Sequence, residues 1–171
     1  MKKYVPAIYQ KTIFDINYKK LHKNGIKCLL FDLDNTLVAA HSYEPDKKVI
    51  NLLKKLNKEF KVIIISNSSR KRLEKINSLF NVSYYSFSLK PLKRNFKKVI
   101  KDYQFTKEEI VLIGDQFITD ILGGYRMGIK TILVDPLSND LPCTKLNRFL
   151  EGKIINRLGK KNLFFKGKYY E

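Results

Sequence analysis

The sequence predicts an α/β fold, a three-layer, doubly wound, Rossmann-like arrangement around a parallel sheet, and three observations carry that prediction. Five apolar runs of strand length alternate with segments whose apolar residues keep helical spacing, the pattern of strands joined by crossover helices. The chain has 171 residues, of which 44% are hydrophobic and 29% charged. That suits one globular domain with a real core, so residues 1–171 are expected to form a single unit. Polar residues gather directly after the apolar runs, where open parallel sheets carry their sites.

Residues 1–25 read as an N-terminal extension whose helical stretch, Tyr18 to Asn24, is stopped by Gly25. Ile26 to Phe31 is the first strand and ends at Asp32. Pro45 opens a helix carrying Val49, Leu52, Leu53, Leu56 and Phe60, and Val62 to Ile65 completes a β-α-β unit. Ser69 caps a helix with Leu73, Ile76 and Leu79 turned inward, Val82 to Tyr85 is the third strand, and Phe96, Val99, Ile100 and Tyr103 mark the next helix. Thr106 to Glu109 has the Thr-x-x-Glu form of a capping box, with room for only a single turn before the apolar run Ile110 to Ile113. That fourth strand ends at Gly114. A helix from about Thr119 to Arg126, a turn at Gly128 and a fifth strand, Thr131 to Val134, complete the alternation.

Runs such as Val62 to Ile65 and Ile132 to Val134 fall far short of the roughly 18 to 20 apolar residues a membrane span needs. Tyr4 to Lys11 interrupts any signal-peptide reading with a proline, a glutamine and a lysine, so a cytoplasmic location is expected. Cys28 and Cys143 supply neither a disulfide framework nor a metal-ligand spacing and read as free thiols. The net charge of +18 attracts phosphate-bearing partners, nucleic acid or anionic membrane. Lysines make up 28 of the 34 cations, and 18 Ile and 13 Asn accompany them, the bias of an AT-rich genome, so composition alone does not separate a used field from an unselected one.

The strand ends offer Asp32-Leu33-Asp34-Asn35-Thr36, Ser66-Asn67, Lys90-Pro91, and Gly114-Asp115 followed by Asp120. Two carboxylates at i and i+2, with further acids from another strand, make an oxygen-rich site suited to a hard divalent cation, Mg²⁺ above all. A lysine and a Ser-Asn turn beside it can neutralise and cradle a phosphoryl group, which points to phosphoryl transfer. Taken singly, each piece also reads as an ordinary turn or helix entry; the ordered set is specific.

These residues resemble the four ordered motifs of the haloacid dehalogenase-like phosphatase superfamily: Phe31-Asp32-Leu33-Asp34-Asn35-Thr36-Leu37, Ser66, Lys90, and Gly114-Asp115 to Asp120. The closer resemblance is to its type III, YqeG-like group, related to phosphatidylglycerophosphate phosphatases. It is carried by Ile13-Phe14-Asp15-Ile16, Lys90-Pro91, Gly114-Asp115-Gln116 with Thr119-Asp120, and Thr144-Lys145-Leu146-Asn147-Arg148-Phe149. It implies that Asp32 is a nucleophile forming an aspartyl-phosphate and that Asp34 is the acid, then the base, with its backbone carbonyl toward the metal. Asp115 and Asp120 join Asp32 at Mg²⁺, the latter directly or through water. Ser66 and the Asn67 backbone hold phosphoryl oxygens, Lys90 offsets their charge, and Thr36 orders the loop. Asn35 stands where many relatives have glycine, but Asp-Asn-Thr recurs in the closer group.

Ala39 to Phe60 and Ser68 to Leu89 are 22 residues each, already occupied by helices and a strand, which leaves no room for an inserted cap. A capless site accepts bulky substrates or borrows its lid from a partner. Residues 144–171 form a basic amphipathic helix and tail, with Leu146, Phe149, Leu150, Ile154, Ile155 and Leu158 as the apolar stripe. The stripe docks on the sheet or faces an anionic membrane, with Phe164 and Phe165 as interfacial anchors. The leading expectation is a Mg²⁺-dependent phosphomonoesterase acting on a membrane-surface lipid phosphate such as phosphatidylglycerophosphate, from the cytoplasmic side. The alternatives are a nucleic-acid end phosphatase, and a non-catalytic module binding RNA or protein, against which the charges at Asp32, Asp34, Lys90 and Asp115 argue.

Overall fold

Strand β2 (Cys28–Phe31) is apolar at all four positions, which lets it be buried on both faces at the centre of a parallel sheet. The computed structural model describes residues 1–40, 42–138 and 145–171, the stretch 145–148 by its backbone alone. Among the described residues, β2 is joined by β1 (Ile8–Gln10), β3 (Lys61–Ile65), β4 (Ser83–Tyr85), β5 (Ile110–Gly114) and β6 (Lys130–Val134). All pairs are parallel, in the order β1-β6-β5-β2-β3-β4. Cys28 stands opposite Lys61 on one side and Ile110 on the other, and Phe31 opposite Ile64 and Ile113. The chain leaves β2 toward β3 and later returns to β5 on the opposite flank. The topological switch point therefore lies between β2 and β5, where a parallel sheet opens its crevice.

Helices α1 (Tyr18–Lys23), α2 (Lys47–Leu56) and α3 (Arg70–Phe80) cover one face, on a core that includes Leu29, Phe31, Leu53, Ile76, Val111 and Ile113. Helices α4 (Arg94–Tyr103) and α5 (Leu122–Met127) cover the other, on Leu30, Ile63, Ile65, Phe96, Val99 and Leu112. Each such aliphatic side chain, fully buried, contributes about 1.5–3 kcal/mol. Side chains of Asp46 and Ser69 cap α2 and α3 by accepting from the amides of Lys48 and Arg72. Glu109 Oε2 accepts from Thr106 N at 2.9 Å, so the capping box closes a single turn.

Five expectations are corrected. The extension 1–25 contributes a sixth strand, β1, which the short, half-apolar triplet Ile8-Tyr9-Gln10 does not announce. It forms because it pairs with β6 and because Tyr170 bridges its outer edge. The helix expected from about Thr119 starts earlier, as a π-helical turn over Phe117–Ile121 that leads into α5. Leu79 is 45% exposed and its neighbour Phe80 is the inward residue, while Phe60 lies past the end of α2 and is buried from a turn. Phe164 is buried against Tyr9 and Phe117, so of the two proposed anchors Phe165 alone is exposed. Helix α6 (Lys145–Gly159) docks by its C-terminal half, with Leu158 buried and Ile154 and Ile155 half-buried, and leaves Phe149 and Leu150 exposed. Cys143, Thr144 and the side chains of Lys145 to Arg148 lie outside the described residues. The segments that follow β2 and β3 hold α2 and α3 with their connections, and no cap is inserted among the described residues. Among the described residues, no helix is long and apolar enough to cross a membrane.

Candidate active site

The crevice at the switch point is built around one buried lysine. Lys90 follows β4 and sends Nζ inward to Asp32 Oδ1 at 2.5 Å and Asp120 Oδ1 at 2.6 Å, with all three residues buried. Its backbone is fixed from both sides by Asn67: the Lys90 amide donates to Asn67 Oδ1 at 2.7 Å, and Asn67 Nδ2 donates to the Lys90 carbonyl at 3.2 Å. Burial works to lower the ammonium's pKa, but the carboxylates of Asp120 and Asp32 outweigh it and hold the group above its ordinary range. Asp32 is pushed up from the usual carboxylate range by burial, with Lys90 pulling down and Asp120 and Asp115 adding to the upward push. The ionised lysine between two carboxylates is the state supported from both sides by its geometry.

Asp32, Asp115 and Asp120 each offer a carboxylate oxygen within 4.8 Å of the other two. Hard oxygen donors at that spacing fit a divalent cation such as Mg²⁺. Asp120 reaches the cluster from the π-helical turn, where its Oδ2 accepts from Gln116 N at 3.1 Å and Thr119 Oγ1 at 3.2 Å. Gly114 is what makes room: a Cβ there would stand 2.3 Å from Asp120 Cγ, a distance no side chain tolerates. The turn is fastened to α6 through Phe117 N, which donates to buried Glu151 at 2.7 Å. Thr36 Oγ1 is buried and lies 3.5 Å from Asp115 Oδ1, a weak contact. Asn35, at φ +63°, is held by Ser138 Oγ and the Ala40 amide at its Oδ1, which steadies the loop after β2.

Asp34 stands outside the carboxylate trio. Arg72 Nη2 and Nε donate to its Oδ1 at 2.7 and 3.1 Å, and Ser68 Oγ donates to its Oδ2. The guanidinium also packs on the Tyr43 ring, 4.8 Å from its centroid. Ser66 is buried at the end of β3 and its Oγ accepts from the Ser68 amide. Sequence reasoning missed Arg72, Ser68 and Glu151, and named Thr119 in the Thr119-Asp120 motif without giving it a role. Arg72 had one local signal, its place in the first turn after the Ser69 cap, but it is one of 34 cations. Beside Asp115 a cavity of about 330 Å³ opens between β6 and α6, lined among others by Phe117, Asp135, Glu151, Ile155, Phe164 and Lys166.

The model of a family described as mitochondrial PGP phosphatase matches residues 1–138. The chain is 33% identical over 162 residues to "Probable phosphatase YqeG" of Bacillus subtilis, covering 94% of each chain. It is 26% identical to the chloroplastic and mitochondrial phosphatidylglycerophosphate phosphatase 1 of Arabidopsis thaliana, over 78% of this chain and 41% of that one. Among solved structures, the putative HAD-hydrolase YfnB of Bacillus subtilis, bound to magnesium, aligns with a TM-score of 0.58 and 15% identity. The alignment covers 68% of this chain and 90% of that one. At such identity the likeness is one of fold.

Proposed function

The chain belongs to the mitochondrial PGP phosphatase family and is a phosphatase of the haloacid dehalogenase-like type, and from that premise we propose that it hydrolyses a phosphomonoester carried by a lipid at a membrane surface, phosphatidylglycerophosphate being the substrate its relatives suggest. The observation that carries the reaction is Lys90 Nζ held between Asp32 and Asp120, within a carboxylate trio that spans the switch point.

In this reading an Asp32 carboxylate oxygen attacks phosphorus and forms an aspartyl-phosphate. The bond from phosphorus to the leaving oxygen breaks, and that oxygen takes a proton from Asp34. Asp34 then accepts a proton from water, whose oxygen attacks phosphorus and displaces Asp32, releasing inorganic phosphate. Arg72 and Ser68 position the Asp34 carboxyl. Ser66 and the Asn67 backbone bind the transferring phosphoryl oxygens, while the Asn67 side chain aims Lys90, which stabilises the charge that builds between substrate and Asp32. Asp32, Asp115, Asp120 and the Asp34 carbonyl would hold Mg²⁺, which when bound supplies further compensation for the phosphoryl charge. The cavity beside Asp115 offers room for the alcohol half of a large substrate, with Phe117 and Phe164 as apolar walls and Lys166 as a cation. Residues 1–171 act in this scheme as one catalytic unit, with α6 fastened to it through Glu151.

The test compares phosphate release from vesicles containing phosphatidylglycerophosphate with release from a 3′-phosphorylated oligonucleotide, both with Mg²⁺. Release from the lipid and not from the oligonucleotide supports the proposal. The reverse replaces the lipid substrate with a nucleic-acid end.

A further inference from the structure

The segment that delivers Lys90 alternates inward and outward. Ser88 and Lys90 are buried, whereas Phe87, Leu89 and Leu92 are 59%, 56% and 50% exposed. The inward residues are tied down: Ser88 Oγ donates to the Tyr85 carbonyl and accepts from Asn95 Nδ2, and Asn67 holds the Lys90 backbone. Lys90 reaches the carboxylates from this segment, so the outward side chains sit on the same short stretch of backbone that delivers a site residue. Phe87 and Leu89 keep φ values of +45° and +50°, a left-handed backbone that bulky residues rarely adopt. Three large apolar side chains are thus presented to solvent within six residues, two of them on disfavoured backbone.

The charge within the segment itself has one sign. Residues 86–95 include no carboxylate, and Lys93 and Arg94 are exposed. Exposed Arg126, from α5, reaches the Pro91 carbonyl at 3.5 Å. Apolar tips flanked by cations are what an interfacial element needs: the tips enter the headgroup layer while the cations meet anionic lipid. A single-stranded nucleic acid would be met by stacking platforms, and of the three residues Phe87 alone is aromatic.

We propose that the loop carrying Phe87, Leu89 and Leu92 is a membrane-docking element that seats the mouth of the site on an anionic bilayer. Its purpose rests on the lipid-phosphate reading above, but the docking is measurable without it. A lipid phosphate then meets Lys90 and Asp32 without leaving the bilayer, avoiding a transfer cost that grows with every CH₂ pulled into water.

The chain contains no tryptophan, so Phe87→Trp makes the full-length protein a single-tryptophan reporter. With phosphatidylcholine vesicles containing phosphatidylglycerol, its emission should shift to the blue and be quenched by brominated acyl chains. Pure phosphatidylcholine should give much less of either. The double variant Phe87→Ser/Leu92→Ser should partition onto the anionic vesicles at least about tenfold more weakly. Its release of phosphate from vesicle-borne lipid should fall in parallel, while turnover of soluble p-nitrophenyl phosphate stays unchanged. Phe149→Ser/Leu150→Ser on α6, another exposed apolar pair, should leave partitioning within about twofold if this loop is the docking element. A wild type that ignores anionic vesicles, or one that binds them with the Phe87→Trp emission unmoved, overturns the proposal. So does a double variant that binds as well as wild type, and so does loss in that variant of single-stranded RNA binding instead of vesicle binding. Insertion without hydrolysis of any lipid phosphate leaves the docking established and overturns the lipid substrate.

Discussion

Three strands of one sheet are followed by an aspartate, and the three carboxylates lead different lives. Asp32 after β2 and Asp115 after β5 flank the switch point, are buried, and share a cluster with Asp120. Asp135 after β6 lies one strand further out and accepts from two phenols, Tyr9 Oη at 2.6 Å and Tyr169 Oη at 2.7 Å. Through those bonds it ties β1 and the C-terminal tail to the sheet edge, with Tyr169 and Phe164 packed on the Tyr9 ring. Position at a strand end is common to all three. What differs is the neighbour: a buried ammonium and further carboxylates around Asp32, neutral hydroxyls around Asp135. The first arrangement stores uncompensated charge suited to a phosphoryl group and a cation; the second satisfies a carboxylate and ends there.

The contrast is broken most directly at Asp32. Asp32→Asn keeps the shape and leaves Lys90 paired with Asp120, so the variant should fold while turnover falls by at least about 10³-fold. Lys90→Met leaves Asp32 and Asp120 buried without their cation. In excess chelator it should unfold more easily by about 3–5 kcal/mol in a denaturant titration, and it should lose about 10²–10³-fold in activity. Wild-type stability in the variant would mean that the pair carries no net charge. Mg²⁺ should raise the melting temperature of the wild type in a dose-dependent way, an effect absent from Asp115→Asn, since a ligand of the folded state stabilises by mass action. Arg72→Met should cost roughly 10²-fold in kcat with KM little changed, and Arg72→Lys should recover part of it, because the effect is one of aiming Asp34. An equal loss in kcat and gain in KM would make Arg72 a substrate contact instead.

Much of this contrast was legible in the sequence, and the physics says which part. Apolar runs such as Val62 to Ile65 and Ile110 to Ile113 must be buried on both faces, so their strands and the polar residues after them are fixed in position by burial alone. Pairing the Asp32, Ser66, Lys90 and Asp115 segments at one sheet end follows from parallel alternation. The rest depends on contacts between residues far apart in the chain. β1 exists because β6 and Tyr170 accept it, and Arg72 matters through an aspartate 38 positions away. The outward turn of Phe87 and Leu89 comes from a left-handed backbone that no periodicity announces. Asp135 follows a strand as Asp115 does, but it lacks the ordered Gly114-Asp115 to Asp120 context, and its two phenol partners come from distant parts of the chain.

The smallest expected effect isolates that last point. Asp135→Asn leaves one oxygen to accept from one phenol and places an amide donor against the other, so the edge should lose about 1–3 kcal/mol in denaturant unfolding. Activity on p-nitrophenyl phosphate should stay within about twofold, because the Asp32 cluster is untouched by a change in the Asp135 clasp and this small substrate does not need the large cavity that Asp135 helps to line. The alkaline limb adds a second readout. Burial, then the hydrogen bond to Asp135, raises the Tyr9 pKa above its unfolded value near 10. A proton held by the folded state and shed by the unfolded one means that stability is full below about pH 10 and falls as pH climbs past it. With the carboxylate gone the upward push on Tyr9 weakens, so the alkaline decline of Asp135→Asn should be shallower than that of the wild type, from a lower starting stability. A decline as steep as wild type would assign the Tyr9 shift to burial alone. A tenfold loss of activity would move Asp135 from the clasp into the site and erase the distinction between the two edges.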